Sequence, residues 1–406
     1  MSKIPYLVLS LVLLGSGLPG FAQKVYQLTI PAGDYGRPES VVSFTPPAGM
    51  DRGSVLVDDQ EQVIPVQWDK RGQAWFIARQ VPALEAKAYL LVKLPAGALE
   101  TNQVEIKREG DSLTALVYGI PVFKYQGGSG VLPRPDIKPI FRRGGYLHPI
   151  WSPLGLQVTD DYPANHLHHH GLWFAYTKTE FEGRHPDFWN MGDGTGTVEY
   201  VQIESQESGP VWGRFIANHR YMDLSAPKPQ VALKEKWEVT LYAAGLGKTR
   251  YWMFDLVVTQ TGAGSKALRL PQYHYGGLGL RGNWAWNGAE KASILTSEGQ
   301  TNRVAANNGP HRWCYLGGSL EGQSAGMAVL GHPDNFRAPQ PVRVHETEPY
   351  LSFTPSAAGD WEIKSGKPYV ARYRFIVLDG PPKPAWLEAM WNDYAHPVRA
   401  QVQARK

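Results

Sequence analysis

Trp237-Glu238-Val239-Thr240-Leu241-Tyr242 alternates large apolar side chains with polar ones, and this alternation decides how the chain folds. Successive side chains of a β-strand point to opposite faces, so Trp237, Val239 and Leu241 share one buried face. Trp252, Phe254, Leu256 and Val258 repeat the pattern, as do Ala371, Tyr373, Phe375 and Val377. Helical periodicity is almost missing from this region, so the strands are expected to form large antiparallel sheets that cover each other. The predicted fold is all-β, with a large antiparallel β-sandwich over residues 98–406. One C-terminal helix is the exception. Pro384 suits a first helical position, Trp386, Leu387, Met390, Trp391 and Tyr394 form one apolar stripe, and His396-Pro397 stops the helix.

Upstream, Ser54-Val55-Leu56-Val57 runs into Asp58-Asp59, and Ala88-Tyr89-Leu90-Leu91-Val92 leads to Pro95-Ala96-Gly97. Short β-type runs ending in turn residues predict a small immunoglobulin-like β-sandwich module over residues 23–97. Residues 1–22 combine Lys3, an apolar run from Tyr6 to Leu14 and small residues ending at Ala22, the pattern of a cleaved secretory signal peptide. The expectation is a periplasmic or secreted protein with no membrane insertion after cleavage.

Composition narrows the function. Forty-three Gly and 32 Pro suit many tight turns, while 14 Trp and 20 Tyr leave aromatic surface to spare. A net charge of +4 without basic blocks argues against nucleic acid as a partner. The single Cys314 allows no intramolecular disulfide, and its apolar neighbours predict a buried, inert thiol. Oligomeric state is left open.

Titratable groups concentrate in Asn165-His166-Leu167-His168-His169-His170-Gly171. Read as an extended segment, it points His166, His168 and His170 to one face and His169 to the other. Imidazoles so spaced suit acid and base work on a sugar, and His166 with His168 suit a divalent metal whose third ligand comes from elsewhere. His168, His169 and His274 are therefore the candidate catalytic residues. Arg143, beside a Gly-Gly turn, is a candidate clamp for carboxylate or hydroxyl oxygens. Asp187 and Trp189 couple a carboxylate to an aromatic plane. Tyr273, His274 and Arg281 lie in a glycine-rich stretch with no helix onset to support a phosphate site. His332, Asn335 and Arg337 share a turn-dense loop, and His170 completes the candidate binding set. No GxSxG, HExxH, CxxC or P-loop pattern occurs.

Three segments, NHLHHHGLWFA from Asn165, YHYGGLGLRG from Tyr273 and GMAVLGHPDNFRAPQPVRV from Gly326, resemble DUF6807, a family of exported bacterial proteins often mislabelled after a methane monooxygenase subunit. The family pattern places an Asp before the first histidine and an Arg before the glycine, where this chain has Asn165 and His170. The resemblance implies a β-sandwich similar to the galactose mutarotase fold and a setting in carbohydrate catabolism, without bringing an activity. The function expected is histidine acid/base chemistry on a sugar or glycoside by hydrolysis, elimination or epimerisation. The alternatives are a non-catalytic carbohydrate-binding protein and a metal-binding protein using the histidines.

Overall fold

The computed structural model describes residues 25–50, 52–93, 102–128, 130–247 and 250–405. The signal peptide expected at 1–22 and the domain boundary expected at 97/98 lie outside the described residues. Two compact units emerge, one within residues 1–102, 209–211 and 392–406, the other of residues 103–208 and 212–391.

The smaller unit has a five-stranded sheet, ordered Gln401–Ala404, Tyr26–Ile30, Lys87–Lys93, Ser54–Val57, Val63–Ile64, and a three-stranded sheet, Arg37–Phe44, Ala74–Val81, Gln67–Trp68. Leu28, Phe44, Leu56, Phe76 and Leu91 fill its core, and Phe76 meets Tyr89 of the other sheet edge-on at 5.3 Å. The sequence reading carried the larger domain through to residue 406, but the last strand instead pairs with Tyr26–Ile30, Tyr26 opposite Ala404. The pairing closes a strand edge that would otherwise expose unpaired N–H and C=O groups. A buried ion pair, Arg37 Nη1 to Asp393 Oδ1 at 2.7 Å, ties the same returning segment down.

The larger unit is the expected antiparallel β-sandwich. Its nine-stranded sheet runs Gly309–Pro310, Pro341–Val344, Tyr350–Phe353, Gly277–Arg281, Leu172–Ala175, Tyr146–Ile150, Ile120–Gln126, Ser112–Val117, Val104–Glu109. The eight-stranded sheet opposite includes Gln230–Tyr242, Tyr251–Gly262 and Tyr369–Asp379, the strands whose alternation the sequence displays. Trp237, Val239 and Leu241 are buried as their period requires. Phe123 meets Phe254 at 4.9 Å and Phe353 meets Tyr373 at 5.5 Å across the two layers. The C-terminal helix is Pro384–Ala395; its Trp386 packs on Tyr251 at 5.0 Å and its Trp391 donates to the Gly331 carbonyl at 2.9 Å.

Register assigns opposite characters to the two faces of the nine-stranded sheet. Val344, Leu351, Leu280 and Leu172 are successive neighbours across four strands, and all are buried toward the sandwich core. One residue along, Arg343, Ser352, Gly279 and Trp173 form the adjacent row on the other face, with Arg281 opposite Tyr350 beyond it. That second face carries the polar and aromatic groups.

Candidate functional site

The histidine segment is not extended. Tyr162 takes a positive φ of 49°, and two successive turns follow, closed by His166 N to Pro163 O and His169 N to His166 O, each 2.9 Å. Tyr162 N then donates to His169 O at 3.0 Å. Pro163 fixes one φ and Asn165 tolerates turn geometry, which outweighs the strand pattern of this short run. The two-residue alternation of faces therefore fails here. His166, His168 and His169 gather, while His170 turns to a different environment.

His166 stacks on His169 with ring centroids 4.7 Å apart, and His168 meets His169 edge-on at 4.6 Å. His169 also stacks on Tyr350 at 4.9 Å and leans over Trp173 at 5.1 Å. Nδ1 of His166 and Nδ1 of His169 are buried without a hydrogen-bond partner among the described residues. Burial, then the neighbouring His166, His170 and Arg281, lower the His168 pKa to about 3. Burial drives His169 well below the usual histidine range, with His168 and His166 adding to the effect. All three rings are thus neutral at physiological pH.

The His166–His168 pair lies edge-to-face at 5.6 Å, but among the described residues no group of three or more His, Cys, Asp or Glu is arranged to hold a metal ion. Among the described residues the pair therefore meets no third His, Cys, Asp or Glu in ligating arrangement. His170 is fully buried, its Nδ1 2.6 Å from Asp161 Oδ1, whose second oxygen accepts from the Tyr146 hydroxyl at 3.0 Å. It belongs to a carboxylate-held pair beneath Tyr146 rather than to the open cluster.

Arg281 is buried on the polar face and fixes the rim of the cluster. Its Nη2 lies 2.8 Å from Glu348 Oε2 and donates to Asn287 Oδ1 at 3.0 Å and Asn165 Oδ1 at 3.3 Å. Asn165 donates in turn to Glu348 Oε1 at 2.8 Å. Burial raises the Glu348 pKa, but the Asn165 hydrogen bond and the Arg281 charge reverse this and hold it below its ordinary value. Asn165 thus anchors the turn through its amide, not through a carboxylate.

Tyr273 and His274 line an open recess of about 380 Å³ with Gln272, Asn308, Pro341 and Ala357. Tyr275 links this recess to the histidines. Its hydroxyl accepts from Asn190 Nδ2 at 3.2 Å, and its ring lies 5.6 Å from Trp189, which is edge-on to His169 at 6.3 Å. Trp189 itself is fully buried, tilted against Trp173 at 4.8 Å. It supports the site from below instead of offering a sugar-stacking face. A Cβ at Gly279 would meet both tryptophans at 2.8 Å, so glycine is what lets the rings lie on the sheet. Asp187 is likewise spent locally, accepting from the Trp189 and Asn190 backbone N–H groups at 2.9 Å and from the Asn190 and Thr177 side chains.

Other expected residues stand elsewhere. Arg143 is buried, with Nη2 donating to the Phe174 carbonyl at 2.6 Å; burial lowers its pKa, opposed by Tyr221 and Glu235. Asn335 pairs both ways with the Arg372 backbone at 2.8 Å, and Arg337 spans the carbonyls of Pro355, Gly359 and Asp360. His332 and Asn335 line a separate, mainly apolar cavity of about 150 Å³ with Phe353 and Trp391. The loop's polar residues build the loop.

Three rim residues escaped the sequence reading. His345 lies 6.4 Å from His166, Glu348 holds Arg281, and Arg343, in strand Pro341–Val344, precedes His345 by two residues. His345 and Glu348 lie outside the segments singled out above, and Arg343, though inside the run from Gly326 to Val344, carries no local mark of its place, which strand pairing sets.

No curated protein matches the chain. Among solved structures, an alpha-mannosidase from Enterococcus faecalis V583 is similar at 9% identity and a TM-score of 0.41, over 94% of this chain and 46% of that one. The chain thus spans less than half the length of that enzyme. The polar face, the histidine turn and the flanking loops all fall within residues 103–392, which match a family of unknown function; the chain belongs to DUF6807.

Proposed function

We propose that this protein acts on carbohydrate through the polar face of its nine-stranded sheet, as an enzyme of sugar or glycoside hydrolysis, elimination or epimerisation. The observation that carries the reading is the pair of buried, unpartnered Nδ1 atoms of His166 and His169. A buried polar atom without a hydrogen bond is destabilising by about 1–3 kcal/mol, so such a pair is selected where a ligand supplies the partner. Sugar hydroxyls suit neutral imidazoles because each can donate or accept. His168 or His169 would serve as the proton acceptor and His274, exposed beside the recess, as its counterpart, with Tyr273 and Arg281 orienting the ring. The N-terminal 22 residues support export to the periplasm or beyond, which N-terminal sequencing of the secreted protein checks.

A second reading, sugar binding without catalysis, is favoured by the low pKa of His168, since an imidazole near 3 is a weak base. A panel of glycosides and free sugars, followed by NMR for both turnover and binding, separates the two. Turnover lost in His168→Ala supports the enzyme. Binding without turnover, unchanged in His168→Ala, overturns it.

A further inference from the structure

We propose that the ligand is a sugar acid of the uronate class, whose carboxylate is received by Arg343; this rests on the carbohydrate reading above. Arg343 lies in strand Pro341–Val344, between core residues Val342 and Val344, and shares the polar face with Ser352, Gly279 and Trp173. Two residues before it, Pro341 lines the 380 Å³ recess that holds Tyr273 and His274. Two residues after it, His345 approaches His166. Arg343 therefore stands where the recess and the histidine turn meet, half-buried, its side chain without a hydrogen bond or ion pair among the described residues.

Three carboxylates around this face are already engaged. Glu348 is held by Arg281 and Asn165, Asp187 by Thr177, Asn190 and its own turn, and Asp161 by His170 and Tyr146. The Arg343 charge is felt at both flanking imidazoles, where it adds to burial in lowering the pKa of His274 and of His345. Those rings are neutral, so Arg343 offers this face a half-exposed guanidinium with no ion pair among the described residues, set among hydroxyl-compatible groups. A guanidinium pairs with a carboxylate through two parallel N–H···O bonds, a geometry that a neutral sugar cannot match.

Titration calorimetry of the full chain with glucuronate, galacturonate and their neutral methyl esters tests this. Binding of at least one uronate about 10- to 100-fold tighter than its ester is expected, as a charged hydrogen-bonded pair contributes. Arg343→Gln is expected to abolish that preference while leaving ester affinity in place, Arg343→Lys to keep part of it, and added salt to weaken only the acid. Equal affinity for acid and ester, or a preference that survives Arg343→Gln in a variant with unchanged thermal unfolding, overturns the inference. Neutral sugars bound in a His168-dependent way without any acid preference sink only the Arg343 assignment, whereas binding of no sugar at all sinks the carbohydrate reading with it.

Discussion

His219 and His169 are almost equally buried in the larger unit, yet they live in opposite circumstances. His219 Nδ1 is 2.9 Å from Glu235 Oε1, and its Nε2 is 2.8 Å from the Tyr125 hydroxyl. Both ring nitrogens are therefore engaged, one by the carboxylate and one by the tyrosine hydroxyl. Glu235 Oε2 takes Tyr221 at 3.0 Å and Gln260 at 2.6 Å, and Gln260 accepts from Tyr176 at 2.8 Å. That network closes on itself. His169 has aromatic neighbours on several sides and no hydrogen bond for Nδ1. Burial does not separate these two imidazoles; the fate of their ring nitrogens does.

The contrast breaks first on stability. His219→Ala leaves Glu235 buried without its main partner and is expected to be destabilising by about 3 kcal/mol in urea unfolding. His168→Ala, which removes no hydrogen bond, should stay within about 1 kcal/mol. Equal losses in the two variants would erase the distinction between closed and open histidines. Next in size, Gly279→Ala drives a methyl into Trp173 and Trp189, with an expected loss of about 2 kcal/mol and an altered near-ultraviolet circular dichroism spectrum. A neutral result would mean that the tryptophans under the histidines are not pressed onto the sheet. The smallest effect is acid sensitivity. His168 titrates near 3 when folded and near 6.5 when unfolded, so the unfolded chain binds more protons between these values. Its contribution is complete above pH 6.5 and lost as pH falls toward 3. His168→Asn should flatten the decline between pH 6.5 and 5 by about 1.5 kcal/mol, read from denaturation midpoints. An unchanged slope would place the acid sensitivity elsewhere.

The two faces of the nine-stranded sheet also show how far sequence reading reaches. Alternation around Trp237, Trp252 and Tyr373 foretells the eight-stranded sheet because side-chain period is a local property. The histidine run is visible as composition, but its shape is not, since Pro163 and a positive φ at Tyr162 override the local pattern. Arg343 looks like any outward residue of a strand. Its meaning arises from pairing with Ser352 and, through it, Gly279 and Trp173, which the chain reaches only by long-range register. Asp187 misleads in the opposite way: an acidic residue beside a tryptophan reads as a sugar contact, yet its oxygens are consumed by the turn it caps. The closed network around Glu235 is equally invisible, because His219 and Glu235 meet only as neighbours on paired strands.

The returning C-terminal strand sets an order of events. Gln401–Ala404 lies at the edge of the five-stranded sheet, beside Tyr26–Ile30, and Asp393 supplies the partner of Arg37. Tyr26–Ile30 is synthesised long before the strand that covers it, so one edge of this sheet stays unpaired until Gln401–Ala404 has been made and has returned to it.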